Sequence, residues 1–359
     1  MSSVVDPAPL SARLSADRCP GVMRLVAAAD GGLARVRLPG GLVDATGLRA
    51  LASAARDLGD GRLELTSRGN VQLRALAAGD DVSTELGGRL AEAGLWPSLS
   101  HELVRNIVAS PLADLAGLVR ALDAAICADP RLAELSGRFL FGLDDGSGDI
   151  AALAPDVLAM DGLVEGLPAE DVVAAMIAAA HAFLDERAAQ GSSAWRVAEL
   201  TDGRARLRAR LDAPAAWTAP PAPPAPAGEI AGRQVLLARL GRLTADQADW
   251  LADHVGDGTA VITPWRSVVV PAVDPAGAAA AGFGVDAGSP WYGVSACAGQ
   301  PGCAKALADV QSEAARTGPG WHRQGLSVHF SGCARRCGRP VDTVVDVVAT
   351  EDGYVITGA

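Results

Sequence analysis

The chain has 359 residues, 49% of them hydrophobic and 20% charged, with a net charge of −11. That length allows two or three domains with real cores. No apolar run approaches the ~20 residues that span a bilayer, and the acidic balance argues against nucleic-acid binding. The opening MSSVVDPAPLSARLSADRCPG lacks the basic start and apolar core of a secretory leader, so a cytoplasmic protein is expected. Lys305 is the single lysine, so arginine placement, not arginine number, carries information.

In chain order, Cys19-Pro20-Gly21 comes first. Cys19 could serve as a ligand or nucleophile, but a structural turn is the preferred reading. Ala34–Leu76 then reads strand, amphipathic helix, Gly59-Asp60-Gly61 turn, strand, Arg68, strand. Leu48, Leu51, Ala55 and Leu58 recur at helical spacing. Val119–Leu135 and Ala169–Gln190 have helical patterns, the first interrupted near Pro130, and Cys127 falls on an apolar helix face. Phe139–Leu143 is expected as a strand ending in the turn Asp144-Asp145-Gly146, with further strands at Ile150–Leu153 and Ala194–Leu200. Ala213–Gly228, rich in Pro and Ala, reads as a semi-rigid linker.

Leu236–Val273 repeats the first pattern, with Ala248, Leu251 and Val255 on the helix, Gly256-Asp257-Gly258 at the turn, and Arg266 matching Arg68 within a one-residue shift. The two copies are expected to form one pseudo-symmetric sheet. Thr343–Thr357 has the pattern of a β-hairpin turning at Glu351-Asp352-Gly353.

Cys297, Cys303, Cys333 and Cys337 are spaced as C-x5-C, 29 residues, C-x3-C. Two close thiolate pairs suit the corners of a [4Fe–4S] cluster. Structural zinc is the alternative, although its pairs usually run C-x2-4-C. The small residues Ala298, Gly299, Gly302, Gly332, Ala334 and Gly338 would let backbone N–H groups approach the sulfurs, and Arg335 and Arg336 add positive charge. Arg68, Arg105 and Arg138 could be ordinary surface or salt-bridge residues, or forks for carboxylates on a polyanionic ligand.

ACAGQPGCAKA followed by HFSGCARRCGRP resembles the cluster signature of siroheme-containing nitrite and sulfite reductases. The two repeats resemble that superfamily's paired ferredoxin-like half-domains. The implied fold is α+β, a pseudo-symmetric pair of ferredoxin-like half-domains with nitrite/sulfite reductase-type α/β domains. Expected boundaries are 17–80 for the first half-domain, 81–212 for the first reductase-like α/β domain and 213–228 for the linker. The second half-domain then spans 229–285, and a truncated [4Fe–4S]-binding domain spans 286–359. The resemblance places Thr66-Ser67-Arg68 and Arg105-Asn106 at the tetrapyrrole and substrate site, and makes Cys337 a bridge between cluster and siroheme iron.

One departure is informative. Reductases carry a Lys-x-Lys pair where this chain has Arg138-Phe139-Leu140, which puts proton delivery to an oxyanion in doubt. The precorrin-3B synthase branch of aerobic cobalamin biosynthesis fits better. Its members are similar in Cys19-Pro20-Gly21, in Leu65–Arg74, in Thr263–Arg266 and in Phe139–Gly146. That resemblance implies O2- and NADH-dependent hydroxylation of precorrin-3A at C20 with closure of a γ-lactone, served by an electron-donating reductase. Arg68, Arg105, Arg138 and Arg266 would bind substrate carboxylates. Cofactors implied are the cluster and either siroheme or a non-haem iron. His101 and His329 lie nearest the motifs, each read as a structural hydrogen bonder. The alternative function is siroheme-dependent nitrite or sulfite reduction.

Overall fold

The computed structural model describes residue 17 and residues 19–214, 217–340 and 343–358. The leader reading of the first residues, and Ala215 and Ala216 of the Pro/Ala-rich segment, lie outside these. The chain divides into two compact units, Met1–Cys19 with Ser98–Pro224, and Pro20–Pro97 with Ala225–Ala359.

The first repeat builds β1 (Val26–Ala28), β2 (Gly31–Val36), β3 (Leu42–Val43), α1 (Ala45–Leu58), β4 (Arg62–Leu65) and β5 (Val71–Leu76), followed by α2 (Asp80–Glu92). Asp44 starts α1 by accepting the N–H of Gly47 at 2.8 Å. The helix buries Leu48, Leu51, Ala52 and Ala55 along one face.

The Ser98–Pro224 segment forms β6 (Ile107–Ala109), α3 (Ala116–Ala128), β7 (Phe141–Asp144), β8 (Val157–Met160), β9 (Leu163–Val164), β10 (Leu167–Pro168), α4 (Val172–Ala189) and α5 (Gly203–Arg210). The sheet runs β10-β9-β8-β7-β6, with β6, β7 and β8 parallel. Phe139 packs against Phe141 and Phe183 with ring centroids 5.1 and 4.9 Å apart. The helix expected over Val119–Leu135 stops at α3, and Pro130 opens a 3-10 turn ending at Glu134. The strands expected at Ile150–Leu153 and Ala194–Leu200 are 3-10 turns, Ala151–Leu153 and Val197–Glu199. Short apolar runs carry no period that separates strand from turn. The linker is not a bare spacer either: Trp217 packs against the buried Val108, Leu140, Ile150 and Leu158.

The second repeat gives β11 (Gly228–Ile230), β12 (Arg233–Leu237), β13 (Arg242–Thr244), α6 (Ala245–Val255), β14 (Ala260–Ile262), β15 (Ser267–Pro271) and α7 (Pro275–Ala280). Thr244 and Gln247 form a reciprocal capping box at the start of α6. The repeats make two five-stranded sheets rather than the single sheet expected. The orders are β1-β2-β5-β4-β13 and β11-β12-β15-β14-β3. Each repeat therefore lends one short strand to the other: Leu243 pairs with Leu63, and Val43 with Ala260. Helices α1 and α6 close one shared core, where Ala52, Ala55, Ala248 and Ala252 are buried and allow close approach.

The chain then forms β16 (Val294–Ala296), α8 (Val310–His322), β17 (Val328–Ser331), β18 (Val345–Thr350) and β19 (Gly353–Thr357). Strands β16, β17 and β18 are parallel neighbours, and β18–β19 is the expected hairpin. Among the described residues, no helix is long and apolar enough to cross a membrane.

Candidate functional site

Parallel pairing decides where the cysteines meet. Ala296 of β16 lies opposite Phe330 of β17, so the residues leaving the two strands emerge at the same sheet end. Such ends are where α/β sheets bind ligands. Cys297 follows β16 directly, and its N–H donates to the Phe330 carbonyl at 2.9 Å. Cys333 follows β17 by two residues, and the intervening Gly332 N–H donates to Cys297 Sγ at 3.1 Å.

The Cys297–Cys303 loop folds over the Cys333 loop. Leu307 N–H donates to the Gly332 carbonyl at 2.8 Å, and Cys303 N–H to the Gly299 carbonyl at 2.8 Å. Gln311 of α8 holds the Cys297 carbonyl at 2.6 Å. Gly332 is required by this closeness: a Cβ there would sit 2.7 Å from Ala306 Cβ and 3.4 Å from Gly299 Cα. All four thiols are free. Cys297, Cys303 and Cys333 are half-buried and Cys337 is exposed. Burial pushes the Cys297 thiol up; the N–H groups of Gly332 and Gly299 oppose this, and the nearby Cys337 and Cys303 add to it.

This donor set fits an iron–sulfur cluster. It offers four thiols on two touching loops, a side-chain-free cradle at Gly332, and an N–H already aimed at a sulfur. One buried polar atom nearby, Ser331 Oγ, lacks a hydrogen-bond partner among the described residues. His329 Nδ1 is 2.8 Å from Ser295 Oγ. Burial and the Arg266 charge pull this imidazole down to about 4, against the Cys337 backbone and Asp346, so it is neutral at pH 7. Asp346 anchors the far side of the Cys333–Cys337 loop by accepting from Arg339 Nε at 2.8 Å.

The four sequence-predicted arginines divide between the units. Arg68 is half-buried on the β4–β5 turn, where Thr66 Oγ1 accepts its N–H at 3.3 Å. Arg266 lies on the β14–β15 turn and donates to the Gly338 carbonyl at 2.7 Å. In the other unit Arg105 is buried, with Nε and Nη2 each 2.7 Å from the Asp123 carboxylate. Arg138 is exposed, stacked 5.0 Å over the Trp195 ring. Leu140 is 2% exposed and belongs to the apolar cluster.

Other polar side chains singled out in the sequence have partners away from the cysteine loops. His101 is held by Ser98, Ser100 and the Asp129 carbonyl. Cys127 is half-buried and its thiol is pushed up by burial and Asp123. Asp17 accepts the Cys19 N–H at 2.8 Å and ties that turn to Ser136 at 2.8 Å. Sequence reasoning passed over Arg74, which is buried on β5, pairs with Asp30 at 2.9 Å and donates to the Gly302 carbonyl beside Cys303. Its sequence signals are a charged residue at a position where β5 turns inward and its place at the end of the Leu65–Arg74 motif, which gave it no role of its own.

Residues 27–80 match the nitrite/sulfite reductase ferredoxin-like half domain. Over 382 residues the chain is 28% identical to the precorrin-3B synthase of Sinorhizobium sp., covering 95% of this chain and 83% of that protein. Its fold is similar to that of the Mycobacterium tuberculosis NirA protein, with a TM-score of 0.70 at 19% identity over 90% of this chain and 73% of that one. The chain thus resembles a precorrin-3B synthase along nearly its whole length and is built, like the nitrite/sulfite reductase superfamily, on a ferredoxin-like half domain.

Proposed function

We propose that the chain is a precorrin-3B synthase. In this reading it hydroxylates precorrin-3A at C20 and closes a γ-lactone, as a step of cobalamin biosynthesis. One oxygen atom of O2 enters the macrocycle and the other leaves as water. NADH supplies two electrons through a separate reductase, and two protons balance them. The observation that carries this reading is the similarity to a protein of that name over 95% of the chain.

Cys297, Cys303, Cys333 and Cys337 hold the [4Fe–4S] cluster. When bound, such a cluster supplies one-electron transfer. Precorrin-3A carries eight carboxylates, and in this reading Arg68 and Arg138 would each receive one. Arg105 and Arg266 act mainly by holding structure, because their guanidinium groups face Asp123 and the Gly338 carbonyl. O2 activation needs an iron or another one-electron centre, which siroheme or a non-haem iron would provide. Leu140 weighs against the reductase alternative. It packs in the core with Val108, Ile150 and Leu158, where a charged lysine would be costly to bury.

The test is turnover of anaerobically reconstituted protein with precorrin-3A, NADH, a reductase and isotopic O2. One labelled oxygen atom per product is expected. Sulfite or nitrite reduction without oxygen incorporation would overturn the reading in favour of a siroheme reductase.

A further inference from the structure

The two repeats can be superposed residue by residue through their turns. Thr66 N–H donates to the Asn70 carbonyl at 2.9 Å, and Thr263 N–H to the Ser267 carbonyl at 2.9 Å. In both turns the threonine hydroxyl also accepts the N–H of that fifth residue, at 3.0 and 3.2 Å. The fourth residue is left-handed in both, with φ of 66° at Gly69 and 60° at Arg266. Arg266 therefore corresponds to Gly69, and Arg68 to Trp265, which corrects the pairing of Arg68 with Arg266. A long side chain stands at a backbone position that the sister repeat gives to glycine, and left-handed backbone disfavours any side chain.

The Arg266 side chain reaches the carbonyl of Gly338, the residue after Cys337, at 2.7 Å. The first repeat does something parallel from another strand. Arg74 of β5, clamped by Asp30 through Nε at 2.9 Å and Nη2 at 3.0 Å, donates to the carbonyl of Gly302, the residue before Cys303. Each repeat thus sends one guanidinium to one cysteine loop, and each loop carbonyl flanks the second cysteine of its pair.

We propose that Arg74 and Arg266 are positioning residues, each clasping one cysteine loop to one repeat, so that the repeat pair sets the separation of Cys303 and Cys337. The left-handed strain at Arg266 is retained because glycine there would leave the Cys337 loop unclasped. Arg266 also adds a positive charge beside that loop, whereas the Arg74 charge is matched by Asp30. This inference concerns the thiols and does not rest on the macrocycle reading.

The test is hydrogen–deuterium exchange of the full-length apo chain, resolved by mass spectrometry into the 299–306 and 333–339 segments, where the amides of Cys303, Ala306, Arg336 and Arg339 are hydrogen-bonded within their loops. Arg266→Gly should speed exchange of 333–339 about five- to tenfold while leaving 299–306 unchanged, as expected for losing one hydrogen bond on a local opening. Arg74→Lys should do the reverse. Asp30→Asn, which releases Arg74 without removing it, replaces that variant if it does not fold. Arg266→Lys should restore slow exchange of 333–339. After reconstitution, Arg266→Gly should lower the cluster's reduction potential and alter its reduced EPR spectrum, while Arg266→Lys keeps the potential near that of the parent. Exchange that rises equally in both loops, or in neither, overturns the proposal, as does Arg266→Lys exchanging as fast as Arg266→Gly.

Discussion

Gly332→Ala puts the site's geometry to a quantitative test. The added methyl would lie 2.7 Å from Ala306 Cβ and 3.3 Å from Ala306 Cα. Carbon atoms rest at about 3.5–4.0 Å, so the two cysteine loops must separate by roughly 1 Å. Neither neighbour is the free end of a flexible side chain, and overpacking of this kind costs about 1–3 kcal/mol. Cluster ligand distances tolerate only about ±0.2 Å, so the splay should cost far more in iron binding than in folding. Denaturant unfolding of the apo protein should show the stability loss, and iron and sulfide analysis after reconstitution should show much less than four irons per chain. Ala306→Gly removes the opposing methyl, and the double variant should recover most of both losses beyond additivity. Unchanged stability with full iron in Gly332→Ala, or no recovery in the double variant, would refute the loop-on-loop packing argued from this contact.

Cys333→Ser should abolish cluster binding, read as loss of iron, sulfide and the visible charge-transfer absorption. Arg68→Ala should weaken macrocycle binding about tenfold or more, as for loss of a charge-assisted hydrogen bond, with cluster content unchanged in the same preparation. Asp17 should show itself on the acid limb of stability. Burial alone would raise its pKa, but hydrogen bonds from Cys19, Ser136 and Gly137 hold it below the usual value. A carboxyl depressed in the folded state stabilises above its unfolded pKa of about 4 and loses that contribution as pH falls through the folded value. Asp17→Asn should therefore lower stability at pH 6 and flatten the decline between pH 5 and 2, measured by denaturant titration at each pH.

What the sequence made legible follows from how local each signal is. The Gly-Asp-Gly turns, the two amphipathic helices and the C-terminal hairpin are written in short windows, and all are present; the cysteine spacing is an equally local pattern. The strand exchange was not readable, because β3 and β13 are two and three residues long and carry no period. Arg68 and Arg266 looked equivalent because residue type was matched, whereas the fold matches backbone conformation and pairs Gly69 with Arg266. Arg105 reads as a free carboxylate fork until Asp123, a full helix away, is found against it. Arg74 is the extreme case: its loop partner Gly302 lies 228 residues on, beyond any pattern a strand can display.

The lending of strands between the repeats has a consequence during synthesis. The outer edge of β4 is covered by β13, which leaves the ribosome roughly 180 residues later, about 10–35 s at ordinary rates of about 5–20 residues per second. For that interval the nascent first sheet carries an unpaired edge, the kind of surface on which β proteins aggregate. A chain cut before Arg242 would keep that edge permanently. The first repeat is therefore a poor candidate for expression alone, and the order of translation gives the second repeat the role of its intramolecular chaperone.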